Sequence, residues 1–426
     1  MWTAIFLLIV PINGFAVVDY IDINNPFLRK IPIAVPLFQY LPESQLSKEI
    51  AEEGTSLLCE TLEFTGFFKL LDRKAFLVDL QSSGVSGSSL NFKNWTAIGS
   101  ELLITGGLRL QNNLIVLELR LFDTFNGRLL VGKKYKGWRT DLRKIVRRFC
   151  NEIMLRLTGQ KGIFDSQIAF VSNSSGQKEI YICDYDGKNI QQVTNYKSIA
   201  LSPSWSSDGK WLAFTSYKKN KPDLYIWNLE EKRGSVVAFK GINITPDWRP
   251  NRFSLAAALS KSGNSEIYLL TGTGKIVKRL TSDWGIDVSP SWSPDGKRIA
   301  FVSNRAGSAQ IYIIDVNSDK IDRLTYEGQY NTNPSWSPKG DKIAFAGRIH
   351  DQFNIYVIDP DGSRLTQLTR HNGNNESPTW SPDGNLIAFT STRGTQKKIY
   401  IMTSFGTDQR QLIQMPGEQF EPDWSP

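Results

Sequence analysis

The chain has 426 residues, a length that predicts two or three domains, and its content of 40% hydrophobic and 22% charged residues is typical of globular proteins. Fifty Lys and Arg against 42 Asp and Glu make it basic, so nucleic acid, anionic lipid and acidic proteins are the partner classes to weigh. Only two histidines occur, His350 and His371, and Gly-x-Ser-x-Gly is missing. This argues against a His-based metal site, a catalytic triad and a hydrolase domain.

The first 16 residues have the pattern of a secretory signal peptide. An apolar run from Ala4 to Val10 is followed by a small-x-small ending, Gly14 to Ala16, before Val17. The run is too short to span a bilayer, so we expect export and cleavage after residue 16. Because no Lys or Arg precedes the run, an uncleaved apolar strand is the alternative.

Residues 17–29 precede the first clear strand and contain Asp19 and Asp22 before the basic Arg29, so we expect a mobile N-terminal segment. Residues 30–158 then read as a small α/β domain. Strands are expected at 31–38, 101–110, 114–122 and 128–135.

Two helices should cover this sheet. The first carries one apolar face and ends at Gly66, and the second begins with Thr140 as its N-cap and extends to Leu157. The apolar face of the first helix consists of Leu46, Ile50, Gly54, Leu57, Leu58, Thr61 and Leu62. Residues 159–162 form a linker.

Basic residues and cysteines in this domain leave alternatives open. The cluster from Lys133 to Arg148 is either a binding surface or the solvated face of a helix, and no nucleic-acid module accompanies it. Cys59 and Cys150 both lie on predicted apolar helix faces, where they could pair or stay free, and Cys183 is expected to be a buried strand residue.

The remaining 163–426 repeat one pattern six times. A Trp preceded by Pro two positions earlier recurs at spacings of 43, 44, 44, 44 and 44 residues, and a Tyr series keeps the same period. This is the period of four-stranded propeller blades, in which each Trp should fill the space between neighbouring blades. The tryptophans are Trp205, Trp248, Trp292, Trp336, Trp380 and Trp424.

The fullest copy predicts where strands and turns fall within a blade. Ser293-Pro294-Asp295-Gly296 suits a type I turn, and strands should follow around 299–301, 311–314 and 324–325. Asp184-Tyr185-Asp186-Gly187 and Asp359-Pro360-Asp361-Gly362 resemble the start of a calcium loop but lack its later ligands, which favours hairpin turns.

The two ends of the repeat region are each incomplete. The last Trp unit stops at Pro426, and a strand at 168–171 has no Trp strand before it. If the segment from about Glu418 pairs with that strand, six blades close into a ring with no open edge. The predicted fold is therefore an α/β N-terminal domain followed by an all-β six-bladed propeller that the C-terminal strand closes.

The sequence favours binding over catalysis. Loops entering the Trp strands gather around one mouth of a propeller channel, and they are polar and varied here. We expect the partner-binding residues of the mouth to be Asn243, Thr245, Asp287, Ser289, Asn331, Asn333, Asn375, Ser377 and Glu421.

The chain resembles the TolB family, the periplasmic propeller proteins of the Tol-Pal envelope system. The resemblance covers essentially the whole chain and is carried by three stretches: the junction 157–164 before the strand at 168–172, the Trp-Ser-Pro-Asp-Gly repeats ending at Trp424-Ser425-Pro426, and Ile31 to Pro36. It implies a monomeric scaffold without enzymatic activity or cofactor, located in the periplasm and supporting outer-membrane integrity and envelope constriction at cell division.

The resemblance also implies two partners. The peptidoglycan-associated lipoprotein Pal would bind the loops that precede the Pro-x-Trp motifs, and TolA would bind the mature N-terminal segment. The TolA side would comprise Val17, Val18, Asp19, Tyr20, Ile21, Asp22 and Ile23. The alternative is a propeller lectin, or an enzyme processing glycans or peptides at the same mouth.

Overall fold

The computed structural model describes residues 29–40, 45–77, 85–111, 114–348, 351–370 and 373–426. The expected signal peptide, residues 17–28 of the N-terminal segment, and both histidines lie outside these ranges.

The small domain is built on a five-stranded sheet with the order β2-β1-β3-β4-β5. Strand β1 is parallel to β2 and β3, and the other pairs are antiparallel. The first strand is shorter than expected because Pro36 has no N–H to donate to a ladder. The sequence did not predict β2. The strands are β1 Ile31–Ala34, β2 Phe68–Leu70, β3 Leu102–Gln111, β4 Leu114–Asp123 and β5 Leu129–Gly137.

Helices α1 Gln45–Phe64 and α3 Leu142–Thr158 pack on each other and on the sheet, and a short helix α2 spans Phe92–Ala97. Two details of the predicted helices are wrong. Leu46 is 45% exposed. Thr140 lies in a 3₁₀ turn, and the cap position of α3 belongs to Asp141, whose carboxylate accepts from the Trp138 backbone N at 2.8 Å.

The propeller consists of six four-stranded antiparallel sheets. Its strands are β6 Gln167–Ser172, β7 Glu179–Asp184, β8 Gln191–Gln192, β9 Ala200–Trp205, β10 Trp211–Ser216, β11 Asp223–Asn228, β12 Arg233–Val237, β13 Asn243–Trp248, β14 Ser254–Leu259, β15 Glu266–Thr271, β16 Ile276–Arg279, β17 Asp287–Trp292, β18 Arg298–Ser303, β19 Gln310–Asp315, β20 Ile321–Arg323, β21 Tyr330–Trp336, β22 Ile343–Arg348, β23 Phe353–Ile358, β24 Thr366–Gln367, β25 Asn375–Trp380, β26 Leu386–Ser391, β27 Lys398–Thr403, β28 Arg410–Gln411 and β29 Gln419–Trp424.

The C-terminal strand closes the ring. Blade 1 has the order β29-β6-β7-β8, with Trp424 opposite Ile168, and blades 2 to 6 begin at β9, β13, β17, β21 and β25. The Ser425 backbone N donates to the Gln167 carbonyl at 2.8 Å and extends the ladder beyond β29. The predicted six-bladed closure by the C-terminus is confirmed.

Each repeated Trp lies between two blades and is only 4 to 6% exposed. Trp292, for example, contacts a cluster that contains Ala256 and Ile267 of blade 3 together with Ile299 and Phe301 of its own blade. A buried ring of this size removes on the order of 200 Å² from water, so the six form much of the apolar contact between blades.

The fourth strand of blade 4 lies earlier than predicted. It ends at Arg323, and the expected strand residues 324–325 belong to the following loop. There the Thr325 hydroxyl accepts from the Ile311 backbone N at 2.9 Å, in place of a ladder carbonyl. The Ser293 turn is formed as expected, with the Gly296 N donating to the Ser293 carbonyl at 2.8 Å.

The basic cluster of the small domain is largely occupied by intramolecular ion pairs. Lys133, Lys134 and Arg139 pair with Glu152, Glu118 and Glu53 at 3.1 to 3.4 Å. Arg143 and Arg147 of α3 pair with Asp186 and Asp184 of the turn after β7, which fastens the small domain to blade 1. All three cysteines are free; Cys150 and Cys183 are buried, and Cys59 is partly exposed.

Candidate functional site

The innermost strand of every blade contains one residue with a positive φ directly before its Pro, and these six residues form a ring. Their φ angles lie between 47° and 52°. In the same strands the register shifts around the Pro, because a Pro cannot donate to the ladder and a bulge takes its place. Such angles are uncommon outside Gly and mark a backbone that surrounding structure holds in place. The ring consists of Ser202, Thr245, Ser289, Asn333, Ser377 and Glu421.

This ring surrounds one mouth of the central channel. A cavity of about 140 Å³ is lined by the six ring residues, the six prolines and the residue after each Pro. A second cavity of about 330 Å³ continues from there to the tryptophans at the other end. The two cavities share the residues after the prolines, which therefore lie midway along the channel: Ser204, Asp247, Ser291, Ser335, Thr379 and Asp423.

Four of the expected contact residues do not face the mouth. The side chains of Asn243, Asp287, Asn331 and Asn375 are 0% exposed, so the expectation that they contact a partner directly is corrected. Asp287 accepts from Arg305 in the loop between β18 and β19. The three asparagines hold the loops that precede them. Asn331 Nδ2, for instance, donates to the Glu327 carbonyl and to Gln310 Oε1, each at 2.8 Å. Gln419 has the same place in blade 1 and donates to the Gly417 carbonyl at 2.7 Å.

The other five expected residues, Thr245, Ser289, Asn333, Ser377 and Glu421, belong to the ring at the mouth. The sixth, Ser202, was missed, although it lies 43 residues before Thr245 and precedes a Pro-x-Trp as the others do. The repeat period alone is sufficient to find it.

Two carboxylates of the channel bond adjacent blades together. Asp423 Oδ2 of blade 1 accepts from the Trp205 backbone N of blade 2, and Asp247 Oδ2 of blade 3 accepts from the Trp292 N of blade 4, both at 2.7 Å. Burial raises the pKa of Asp247 from its ordinary 3.8 to about 7. Burial also raises the pKa of Asp423 well above its usual value, and repulsion from Asp247 adds to this. These carboxyls serve the ring structure.

The two turns that resemble calcium loops are hairpin turns. Gly187 N donates to the Asp184 carbonyl and Gly362 N to the Asp359 carbonyl, each at 2.9 Å. Asp359 is paired with Lys342 and Arg364. Within the described ranges no group of three or more His, Cys, Asp or Glu side chains is arranged to hold a metal ion.

Exposed apolar side chains of the propeller concentrate at the mouth end. Since strands within a blade alternate in direction, the loops between second and third strands and between successive blades all lie at this end. Among the described residues these loops expose Trp284 by 73% and Tyr326 by 74%, together with Ile199 and Ile286. Tyr330, the first residue of β21, is also exposed at this end. Exposed aromatic groups of this kind are typical of protein-binding surfaces. The small domain, fastened to the opposite end of blade 1, leaves this face open.

The fold and the site define a six-bladed β-propeller protein with an N-terminal α/β domain and a polar, aromatic-flanked channel mouth. The family model described as TolB beta propeller domain matches residues 154–426, and the TolB amino-terminal domain matches residues 19–130. The chain therefore belongs to the TolB family. No helix in the described part of the chain is both long and apolar enough to cross a membrane.

Relatives and solved structures agree with this assignment. The Tol-Pal system protein TolB of Desulfosudis oleivorans is 55% identical over 65% of this chain and 64% of its own length. The Protein TolB homolog of Chlorobium chlorochromatii is 44% identical over 62% of this chain and 59% of its own length. The matched stretches thus span less than two thirds of these relatives. The crystal structure of TolB from Acinetobacter baumannii aligns with a TM-score of 0.81 at 26% identity, covering 93% of this chain and 97% of that one.

Proposed function

We propose that this chain is a non-enzymatic scaffold of the Tol-Pal system in the periplasm, which binds the lipoprotein Pal at the propeller mouth and TolA through its N-terminal segment. Such a scaffold would support outer-membrane integrity and envelope constriction at cell division. Membership in the TolB family, and relatives named as Tol-Pal proteins, support this assignment.

The observation that carries Pal binding is the exposed aromatic surface at the mouth. Trp284 and Tyr326 lie in the loops that lead into the inner strands of blades 4 and 5. Large aromatic side chains are enriched among the few residues that supply most of the binding energy in protein interfaces. Ser289 and Asn333, the ring residues of the strands that follow these loops, are held in one backbone conformation, so a partner would meet a preorganised surface.

Pal binding is tested with the soluble domain of Pal from the same organism and isothermal titration calorimetry. Trp284→Ala and Tyr326→Ala should each weaken binding at least tenfold, as expected for interface aromatics. Val277→Ala, which truncates a 57% exposed side chain on the outer strand β16, is the control and should leave the affinity unchanged. Equal Pal affinity in all three variants would show that this surface is not the Pal site.

TolA binding rests on the family assignment and is tested by deletion. A chain lacking residues 17–29 should lose capture of the TolA periplasmic domain while keeping its melting temperature. The expected contacts are Val17 to Ile23, which lie outside the described residues. Undiminished TolA capture by the shortened chain would show that the segment is not the TolA site.

Binding of a glycan or peptide at the mouth, with no Pal binding, would favour the lectin or enzyme alternative.

A further inference from the structure

The mouth face is electrically uneven. Seven lysines and no Asp or Glu occur in five loops at the mouth end of blades 1 to 3, at residues 173–178, 193–199, 217–222, 238–242 and 260–265. Strands and the turns of the opposite end separate these loops in the sequence, and the propeller brings them to one half of the mouth face. We call these residues the lysine arc: Lys178, Lys197, Lys218, Lys219, Lys221, Lys240 and Lys261.

The opposite end of the same blades has a mixed charge. Its turns place Asp186, Asp208, Glu230 and Glu231 among their lysines and arginines. The unbalanced excess of lysine is therefore confined to the mouth end of these blades and is not explained by the overall basic composition of the chain.

The charges of the arc are mostly available to a partner. Lys221 pairs with the buried Asp223 at 3.0 Å, whereas the other six form no ion pair with any residue in the described ranges. Glu179 and Glu266, at the starts of the third strands of blades 1 and 3, are almost fully buried, and their carboxylates accept hydrogen bonds from Thr194 and Thr281. These buried acids offset part of the potential but leave the lysines in excess.

Three of the lysines are positioned over aromatic rings. The Lys218 ammonium lies 4.1 Å from the Tyr196 ring centroid, Lys261 lies 5.2 Å from Phe239, and Lys178 lies 5.4 Å from Phe420. Such cation–π contacts are favourable even at exposed sites. The aromatic rings hold these ammonium groups in place at the mouth face and leave their positive charges unneutralised.

The other half of the face has a different character. Its loops carry Asp283, Glu327, Asp351 and Glu418 among their cations, and they also carry Trp284 and Tyr326. The mouth thus lies between a lysine-rich half and an aromatic half. A flat anionic membrane would not match this division, whereas a folded protein with an acidic flank beside an apolar patch would.

We propose that the lysine arc receives an acidic surface of Pal and steers its association, while the aromatic half supplies the short-range contacts. This inference rests on the proposed function and adds the chemistry of the partner. Lysines are flexible, hydrated point charges, so their main contribution is to the association rate and to its dependence on salt.

The test compares two triple variants with equal changes in net charge. Lys219, Lys240 and Lys261→Glu reverse the arc; Lys210, Lys275 and Lys297→Glu reverse exposed lysines at the opposite end of the propeller. Stopped-flow association with the Pal domain is measured at 25 and 300 mM NaCl. The arc variant should associate at least tenfold more slowly than wild type at low salt, and most of this difference should vanish at high salt. The control should stay within about twofold.

The possible outcomes distinguish a failure of the lysine arc from a failure of the proposed Pal binding. Equal slowing of both triple variants would mean that only net charge matters and would overturn the arc. Normal association of the arc variant, with wild type still binding Pal, would overturn the arc and leave the Pal site intact. No Pal binding by wild type would defeat the proposed function itself. Binding of phosphatidylglycerol vesicles that only the arc variant loses, with Pal association unchanged, would assign the arc to lipid and overturn its role for Pal.

Discussion

Asn331 and Asn333 lie two residues apart in one strand and have different roles. Asn331 is fully buried and holds its loop, whereas Asn333 belongs to the ring at the mouth. Regular strand alternation would place both on one face. The positive φ at Asn333 and the register shift before Ser335 break that alternation. The same division recurs in blades 1, 3 and 6, where Gln419, Asn243 and Asn375 hold their preceding loops, so loop support and mouth surface are separate functions of neighbouring residues.

The carboxyl of Asp247 predicts a pH dependence of stability. Its folded pKa of about 7 lies above its ordinary 3.8, so the folded state binds the proton more tightly than the unfolded chain does. The stabilisation of the folded state by the protonated Asp247 carboxyl is fully present below about pH 4 and is lost as the pH rises through about 7. Asp247→Asn should therefore lose less thermal stability than wild type between pH 5 and 8.5, because its side chain does not ionise.

Differential scanning fluorimetry of the two proteins across this pH range checks this prediction. Removing the Asp247 charge also lowers the raised pKa of Asp423, so the loss of stability through Asp423 becomes smaller and adds to the expected difference between the two curves. Parallel curves would mean that Asp247 titrates in the folded protein as it does in the unfolded chain.

At the scale of elements, strand β29 decides whether the ring is closed. Its Trp424 indole donates to Ser166 Oγ at 2.8 Å and contacts both blade 6 and blade 1. Removing residues 418–426 should cause aggregation or a much lower melting temperature, since the loss of one buried Trp alone costs about 3 to 5 kcal/mol. Trp424→Phe should be milder than Trp424→Ala.

Thermal melting of the truncated chain and the two point variants measures this order of severity. Trp284→Ala removes an equally large but 73% exposed ring and is the matched control, which should melt as wild type does. A truncated chain with an unchanged melting curve would contradict the closure.

At the scale of the whole molecule, the two domains form one continuous structure. A single apolar cluster contains Phe38 and Phe149 of the small domain, Phe164 of the junction, and Ile399 of blade 6. The ion pairs of Arg143 and Arg147 with blade 1 lie beside this cluster. The orientation of the small domain relative to the mouth face is therefore set by buried contacts.

Arg147 provides a test of this junction. Its side chain is 15% exposed and pairs with Asp184, which is 12% exposed, so Arg147→Ala leaves a largely buried carboxylate with weaker compensation. We expect a loss on the order of 3 kcal/mol in the free energy of unfolding. Lys188→Ala breaks a pair with Glu60 in which both side chains are more than half exposed, and it should cost less than about 1 kcal/mol. Urea unfolding of both variants distinguishes these values, and equal losses would mean that the Arg147 pair is not structurally important.

Much of the architecture could be read from the sequence because its signals are local and repeated. The Trp period, the turn residues and the two incomplete ends predict six blades and their closure without any knowledge of distant contacts. The same period locates the ring at the mouth, including Ser202. For this reason the strands of the fullest repeat were predicted to within a few residues, whereas β2 of the small domain, which belongs to no repeat, was not predicted.

Tertiary structure alone decided which polar residues face a partner and which charges act together. Asn243, Asp287, Asn331 and Asn375 look like loop residues in sequence, but loop packing buries them. The pairing of Arg147 with Asp184 and the grouping of seven lysines on one half of the face join segments separated by tens of residues. No local pattern encodes such proximity, because burial and electrostatic potential depend on every segment that the fold brings together.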